Sequence, residues 1–320
     1  WLSEQRPIRE KSSIGVLFEP RGEFVASFES MPPACGMNPS AVQQRAAVVL
    51  NEPMARGTFR MRLRCPELAT TIRPGQFFMV RLPGTSDPLM GGPFALLDTH
   101  LGVDGHSKYV DFGYVVVGKL TGQLQSLAVG EEVDVWGPLG NGFPLPGTGH
   151  LMLVAGGIGQ TPFLAAAKEA LGLQSYGSPA RVLPERPRRV SLCYGVRNVA
   201  FQAGVEDFRL PGLEVSLSTD DGSTGFHGYV TDLLARSIAG NDPPDTVFCC
   251  GPEPMMRRVA EICAAADIKC WLSLESPMAC GFGACFSCVV PVRDECGDGW
   301  DYRRSCVDGP VFPADRLILT

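Results

Sequence analysis

Residues 275–311 read ESPMACGFGACFSCVVPVRDECGDGWDYRRSCVDGPV and contain five of the twelve cysteines of the chain. Cys280, Cys285 and Cys288 follow one another with the spacing C-x4-C-x2-C, which is typical of a plant-type [2Fe–2S] site with four thiolate ligands. For the fourth ligand both Cys296 and Cys306 are available, and we favour Cys306 because it lies in the turn-like run RRSCVDGPVF. Gly281 and Gly283 suit a loop that brings its amides close to a cluster and adopts positive φ.

Two other interpretations of these cysteines remain open. A structural zinc site usually shows two C-x2-C pairs, whereas only Cys285 and Cys288 have that spacing here. Structural disulfides are typical of secreted chains, and residues 1–20 lack the long apolar segment of a secretory signal. The spacing therefore favours iron–sulfur over zinc, and zinc over disulfides.

Composition limits the classes of function. The chain has 320 residues, room for two or three domains, and a net charge of −6, which argues against nucleic-acid binding. No run of eighteen apolar residues is present, so we expect no membrane span and a cytoplasmic protein. We expect the other cysteines to be reduced, and mostly buried, thiols. These are Cys35, Cys65, Cys193, Cys249, Cys250, Cys263, Cys270 and Cys296.

The first half of the chain predicts an extension followed by a β-domain. Residues 1–43 mix charge, proline and glycine without periodicity, and we interpret them as an N-terminal extension, disordered or packed on the surface. Residues 44–148 contain short β-type runs such as TFRMRLR, GQFFMVRL and YVDFGYVVVG, separated by turn sequences. This pattern predicts a closed antiparallel β-barrel, with a β-sandwich as the alternative.

Residues 149–272 predict a doubly wound α/β domain with a parallel sheet. HLMLVAGGIGQTPFLAAAKEALG (150–172) is an apolar strand, a glycine-rich turn and a helix, the unit that binds a phosphate at a helix N-terminus. TVFCCGPEPMMRRVAEICAAA (246–266) repeats this arrangement, and two such turns at strand carboxyl ends would face one nucleotide crevice. Residues 273–320 then form a small [2Fe–2S] segment, so that the fold class is α+β and multidomain.

The two ends of this arrangement require a converter between them. A nicotinamide nucleotide exchanges two electrons as hydride, whereas a [2Fe–2S] cluster exchanges one. A flavin is the usual group that connects the two, so we expect the β-barrel to hold a flavin.

The chain resembles the electron-transfer subunits of dihydroorotate dehydrogenase, a branch of the ferredoxin–NADP reductase-like superfamily. The motifs that carry the resemblance occur in the family's order across residues 45–320. They are GPLGNGF (137–143), AGGIGQTP (155–162), STDDGSTGFHGYVTDLL (218–234), CCGPEPMM (249–256) and SLESPMACGFGACFSCVV (273–290). The resemblance implies FAD in the barrel, a [2Fe–2S] cluster, NAD(H), and an FMN-bearing catalytic subunit that oxidises dihydroorotate, in a heterotetramer.

The resemblance also implies which residues form the sites. For the cluster it implies Cys280, Cys285, Cys288 and Cys306. For the nicotinamide nucleotide it implies Gly156, Gly157, Gly159 and Pro162, with Gly251 and Pro252 opposite. Glu275 and Met278 would lie beside the cluster and the flavin. Arg197 and Asn198 are candidates for the ribose, and the choice between NAD and NADP rests there on family likeness alone.

The flavin motifs depart from the family pattern. Where the family has Arg-Pro-x-Ser, this chain has Gly92, Pro93, Phe94 and Ala95, and where the family has Tyr-Arg it has Tyr114 and Val115. A family Gly-x-Gly-Thr stretch reads Gly118-Lys119-Leu120-Thr121 here. Two arginines that could hold a diphosphate are therefore absent. Lys119 and Arg81 are candidate replacements, and backbone amides near residues 93–95 and Thr121 are a further means of holding FAD.

Three functions compete on this evidence. The first is the dihydroorotate-linked subunit, and the second is a related subunit of a sulfide dehydrogenase or of a ferredoxin–NADP oxidoreductase. The third is a non-enzymatic interaction protein with bound zinc. No acid–base pair or nucleophile stands out, and we interpret the histidines as surface or loop residues, so substrate chemistry is expected on a partner. Pro277, Phe282 and Phe286 would then belong to the partner interface. The histidines are His100, His106, His150 and His227.

Overall fold

The first half of the chain forms a curled antiparallel sheet. A computed structural model describes residues 38–294 and 299–319, and the sheet order within them is β4-β3-β7-β1-β2-β6-β5. Two short helices, α1 (Pro66–Thr71) and α2 (Lys119–Leu124), flank it. The strands are β1 (Val42–Ala55), β2 (Thr58–Arg64), β3 (Phe77–Arg81), β4 (Gly92–Ala95), β5 (Asp98–Leu101), β6 (Ser107–Val115) and β7 (Glu132–Leu139).

The connection between β4 and β5 explains the curl. These strands are the two edges of the sheet, yet only Leu96 and Leu97 separate them in sequence. Three Cα steps span at most about 11 Å, so the two edges must meet. Phe94 of β4 accordingly packs on Phe112 of β6, with ring centroids 4.6 Å apart. The predicted antiparallel β-domain is confirmed, but its edges are joined through the chain and not by a ladder of hydrogen bonds, so the predicted closed barrel is not confirmed.

The second sheet is parallel except at one edge. Its order is β11-β10-β9-β8-β12-β13-β16, in which β16 is Val311–Pro313. Its parallel strands are β8 (His150–Gly156), β9 (Arg189–Val196), β10 (Leu213–Thr219), β11 (Phe226–His227), β12 (Thr246–Cys250) and β13 (Lys269–Ser273). The helices are α3 (Phe163–Ala170), α4 (Val230–Ile238) and α5 (Glu253–Ala265), with 3-10 turns at Gly157–Gln160, Val199–Phe201, Val205–Phe208 and Ala314–Arg316.

Strand β8 is buried on both faces, as a central strand of a doubly wound sheet should be. Leu151 and Leu153 pack in one core with residues of α3, whereas Met152 and Val154 pack in another core with residues of α4 and α5. Helices therefore cover both faces of the sheet, and the predicted parallel α/β domain is confirmed.

The carboxyl-terminal segment is tied into both preceding units. It contains β14 (Val289–Arg293) and β15 (Trp300–Arg304), which pair with each other, and β16 (Val311–Pro313), which pairs antiparallel with β13. From the first unit, Asn141 Nδ2 donates to the carbonyl of Val311 at 2.8 Å. The predicted domain boundary at 272/273 falls inside β13, and the sheet continues into the segment that was assigned to the cluster.

The remaining cysteines and histidines can be placed except where they lie outside the described residues, as Cys35 and Cys296 do. The described cysteines outside the ligand set have free thiols, and all except the half-buried Cys270 are buried, as predicted. The interpretation of His150 as a surface or loop residue is wrong: it lies in β8 with no exposed surface, and its Nε2 is 2.7 Å from Ser191 Oγ. His106 and His227 are exposed, and His100 is half-buried. No helix in the described part of the chain has the length and apolarity to cross a membrane.

Candidate functional site

Four sulfurs gather in the loop between β13 and β14 and in the turn after β15. Cys288 Sγ lies 3.2 Å from Cys306 Sγ, and both residues are buried. Cys280 and Cys285 form a second interacting pair, in which Cys285 is exposed. No three His, Cys, Asp or Glu side chains in residues 38–294 and 299–319 are arranged around a single metal ion. Two thiol pairs are the donor set that two irons need, so these residues fit a [2Fe–2S] cluster.

The two glycines of this loop have the conformations that the sequence predicted. Gly281 has φ +80° and Gly283 has φ +87°, values that side-chain-bearing residues rarely adopt. A Cβ on Gly281 would lie 2.6 Å from Cγ of Met79, and one on Gly283 would lie 2.7 Å from a methyl of Val307. The loop is thus packed closely against β3 and against its own return segment, and only glycine fits at either position.

Hydrogen bonds act on the Cys285 thiol, the exposed member of the second pair. The Ser287 hydroxyl lies 3.1 Å from Cys285 Sγ. Hydrogen bonds from the side chain and the backbone of Ser287, together with those from Cys280, lower the pKa of the Cys285 thiol to about 6. Burial and the neighbouring Cys288 sulfur instead raise the pKa of the Cys306 thiol to about 12. Trp136 of β7 donates through Nε1 to the Cys280 carbonyl at 2.9 Å and holds the loop against the first sheet.

A cavity of about 650 Å³ opens beside this loop. Its volume is within the range of cofactor sites. Eight of the residues predicted to contact a flavin line it. These are Gly92, Pro93, Phe94, Ala95, Tyr114, Val115, Leu120 and Thr121.

The other walls come from the second sheet and from the start of the cluster segment. Glu275, Pro277 and Met278 line the cavity, so the segment that carries the sulfurs also forms its wall. Glu275 is exposed in this open crevice, yet the surrounding protein removes enough water from its carboxyl to raise its pKa. The apolar lining suits a flat uncharged ring, and the residues present therefore fit the ring end of a flavin.

The two predicted nucleotide turns meet at the carboxyl ends of β8 and β12. A Cβ on Gly159 would overlap the carbonyl of Cys250, and one on Gly156 would lie 2.9 Å from Cδ of Pro252. The turns therefore share one crevice, as expected at such a position in an open α/β sheet. Of the predicted nucleotide residues, Pro162 also lines the cavity. Gly156, Gly157, Gly159, Gly251 and Pro252 are not among its lining residues.

The segment that contains the predicted ribose residues lies beside Asp220 and Asp221, which were not among the predicted site residues. Arg197 and Asn198 follow β9, and Asn198 Oδ1 accepts a hydrogen bond from the Ala200 amide. Asp220 and Asp221 follow β10, and the Asp221 amide donates to the Arg197 carbonyl at 3.3 Å. An acidic residue near the ribose hydroxyls is typical of NAD sites. The Asp-Asp pair in the run STDDG is therefore the sequence feature that could have indicated these two residues as candidates.

Neither of the predicted replacement cations reaches the cavity. Lys119 Nζ pairs with Asp87 on the surface at 2.7 Å, and Arg81 Nη2 pairs with Asp134 at 2.8 Å. Neither residue lines the cavity. Both cations are therefore held by other carboxylates.

Solved structures with similar folds indicate the class of protein. The chain aligns with a structure described as an NADH-dependent reduced ferredoxin-NADP oxidoreductase, with a TM-score of 0.70 and 25% identity, over 86% of this chain and 90% of that one. It also aligns with the ferredoxin reductase of carbazole 1,9a-dioxygenase, with a TM-score of 0.58 and 20% identity, over 71% and 67% of the two chains. The fold is that of the ferredoxin reductases.

Sequence comparisons identify the family within that class. The iron-sulfur cluster binding domain of dihydroorotate dehydrogenase B matches residues 275–318, and the oxidoreductase NAD-binding domain matches residues 153–261. The electron transfer subunit of dihydroorotate dehydrogenase B (NAD(+)) from Geobacillus kaustophilus is 35% identical, over 87% of this chain and 99% of the relative. The subunit of the same name from Shouchella clausii is 32% identical, over 87% and 98%. The chain belongs to the family of dihydroorotate dehydrogenase B electron transfer subunits.

Proposed function

We propose that this chain carries electrons from an FMN-bearing dihydroorotate dehydrogenase catalytic subunit to NAD. One observation carries the proposal: residues 275–278 line the cavity, and the same loop continues directly into Cys280, Cys285 and Cys288, three of the four sulfur-bearing residues. A one-electron centre in that loop would lie next to a group in the cavity. When bound, a [2Fe–2S] cluster supplies single-electron transfer, and FAD connects it to hydride transfer with NAD.

The chain's own residues have three tasks in this proposal. Cys280, Cys285, Cys288 and Cys306 hold the irons. The cavity walls from β4, β6 and α2 would hold the flavin ring and exclude water from around it. The turns after β8 and β12 supply backbone N–H groups for the nucleotide, as is common at helix N-termini in such sheets.

The exposed part of the loop between β13 and β14, residues 274–288 and here called the cluster loop, is consistent with a partner that binds on that side. Residues 284–287 are exposed, and the Phe286 side chain is 61% exposed beneath the guanidinium of Arg304. An exposed aromatic side chain next to a thiol ligand suits an interface that brings a donor close. We infer that the catalytic subunit binds there, in a heterotetramer, and that the protein is cytoplasmic, where free cysteines such as these stay reduced.

Co-expression with an FMN-bearing dihydroorotate dehydrogenase subunit tests the proposal. We expect the two chains to co-purify with iron, acid-labile sulfide and FAD, and to reduce NAD⁺ when dihydroorotate is added. A colourless chain that binds zinc would contradict the proposal. Reduction of NAD⁺ by reduced ferredoxin, without response to dihydroorotate, would instead support the second candidate function, which the likeness to a ferredoxin-NADP oxidoreductase favours.

A further inference from the structure

The walls of the cavity carry no positive charge. Among the residues that line it in the described part of the chain there is no lysine, arginine or histidine, and Glu275 is the only carboxylate. FAD carries a diphosphate with two negative charges. A site that binds such a group strongly usually presents a guanidinium, a lysine or several convergent amides. The amides before α2 are already used, since those of Val117 and Gly118 donate to Thr121 Oγ1 at 3.0 and 3.1 Å, and Pro93 has no N–H to offer.

Gly92 and Leu120 together explain why a long side chain is absent from this wall. A Cβ placed on Gly92 would lie 2.8 Å from a terminal methyl of Leu120, so this leucine covers the α-carbon of the glycine. Leu120 thus fills the space that a long side chain at position 92 would need. A methyl-covered glycine stands where the family resemblance implied a guanidinium, and Ala95 stands where it implied a hydroxyl.

The cations nearest in sequence or in register are paired away from the cavity. Lys119, next to Leu120, pairs with Asp87. Arg60 of β2 lies opposite Gly113 of β6, which lines the cavity, but its guanidinium pairs with Asp207. Moving either cation to a ligand would break an ion pair, and for Arg60 that pair is largely buried.

We propose that this chain holds its flavin by the uncharged ring and ribityl chain, with almost no contribution from the diphosphate. The inference rests on the proposed function, since it concerns how that flavin is bound. FAD, FMN and riboflavin then bind with dissociation constants within about tenfold of one another, because they share the part that the cavity contacts. Binding of FAD also depends little on salt, because no cation of the wall pairs with it.

Titration of the full-length chain, after its flavin has been removed, tests this directly. Each of the three flavins is added at low and at high ionic strength, and binding is followed by the change in flavin fluorescence. Similar affinities that hardly vary with salt are the expected result. FAD binding more than about 100-fold tighter than riboflavin, weakened by salt, would overturn the inference and leave the proposed function intact. Failure of all three flavins to bind would overturn both.

A gain-of-function variant tests the cause. The double substitution Gly92→Arg with Leu120→Gly adds a guanidinium and clears the space for it, at a position whose backbone is not in the left-handed region. Its matched control, Gly92→Met with Leu120→Gly, adds a side chain of similar length without charge. We expect the arginine variant to bind FAD about tenfold more tightly than the control, while the two variants bind riboflavin with equal affinity. Equal FAD affinities in the two variants would contradict the argument from charge.

Discussion

The cluster loop and the flavin cavity are adjacent, but their residues differ in chemical character. The loop and the turn after β15 present four sulfurs with polar neighbours such as Ser287 and Arg304, whereas the cavity presents mainly apolar walls. In the loop, a few directional contacts each hold a specific atom. In the cavity, many weak van der Waals contacts together define the shape of the group that can bind. Substitutions in the loop should therefore have all-or-none effects, and substitutions in the cavity should have graded ones.

The largest effect is expected for Cys285→Ser. The substitution removes one thiolate from an exposed position, so the chain should fold but lose the iron, the acid-labile sulfide and the associated visible absorption. NAD⁺ reduction by dihydroorotate should fall more than about 100-fold, since even outer-shell losses at metal sites reach that size.

The matched control is Cys270→Ser, which changes a half-buried thiol outside the ligand set. It should retain its iron and sulfide. Unchanged dihydroorotate-dependent NAD⁺ reduction in Cys285→Ser would show that electrons do not pass through this loop.

A second prediction concerns the buried carboxylate of Asp111 in the first sheet. Asp111 of β6 accepts hydrogen bonds of 2.7 and 2.8 Å from Arg62, and His100 Nε2 lies 2.9 Å away. Burial acts to raise the pKa of Asp111, but the hydrogen bonds from Arg62 and His100 outweigh it, so that the pKa is lowered. A lowered folded-state pKa stabilises the protein above the unfolded-state pKa, and this stability is lost as pH falls through the folded-state value.

We therefore expect Asp111→Asn to lower the free energy of unfolding at pH 7 by about 2–4 kcal/mol, below the usual value for a broken buried pair because Arg62 is partly exposed. The difference from wild type should shrink as the solution is acidified, which denaturant titrations between neutral and acidic pH would measure. Asp104→Asn, in the more exposed pair with Lys108, is the control and should change little. A difference that stayed constant with pH would show that the charge of Asp111 does not stabilise the fold.

A third and smaller effect is expected at Ser287. Its hydroxyl accepts from the Ala279 amide at 3.2 Å and has one proton to donate, either to Cys285 Sγ at 3.1 Å or to the Pro277 carbonyl at 3.4 Å. A thiolate is the stronger acceptor, and a hydrogen bond to a ligand sulfur stabilises the reduced cluster. Ser287→Ala should therefore lower the equilibrium constant for reduction of the cluster by about 2- to 10-fold, as measured in a spectroscopic redox titration.

Ser287→Thr keeps the hydroxyl and should restore the wild-type potential. If the alanine and threonine variants shifted the potential equally, the hydroxyl would not be the cause.

The smallest effect is expected on the cavity side, for Tyr114→Phe. The Tyr114 hydroxyl donates to Asn51 Oδ1 at 2.9 Å, while its ring lines the cavity. Loss of the hydroxyl should lower stability by about 1 kcal/mol in thermal or denaturant unfolding. Flavin affinity should stay the same, because the ring remains. A large loss of flavin would instead mean that the hydroxyl, and not the ring, contributes to the site.

The parts of this molecule that depend on local chemistry could be predicted from sequence. A cluster site needs cysteines at a fixed spacing, and Cys280, Cys285 and Cys288 show that spacing within nine residues. The two strand-to-helix turns of the α/β sheet need glycines, which the sequence also shows locally, and the turns meet as expected. The strands β4 and β5 were missed because they are four residues long and GGPFALLDTH shows no alternation. Their role as the two edges of one sheet is a property of the whole topology.

Other features depend on partners distant in the chain. Trp136 holds the Cys280 carbonyl from 144 residues away, and nothing near either residue indicates that contact. The cover of Leu120 over Gly92 likewise joins α2 to β4. The prediction for His150 was wrong for a different reason: histidine is intermediate in its tendency to be buried, and its place in the apolar run HLMLVAG was a local sign of burial.

Strand β16 fixes the position of the carboxyl-terminal segment that carries the sulfurs. It completes the parallel sheet at β13, and Asn141 joins its first residue to the opposite half of the molecule. The carboxyl-terminal segment thus connects the two preceding units and is not a separate domain on a flexible linker. The gap that an electron must cross inside this chain is therefore set when the chain folds, and only the encounter with an outside donor is left to diffusion.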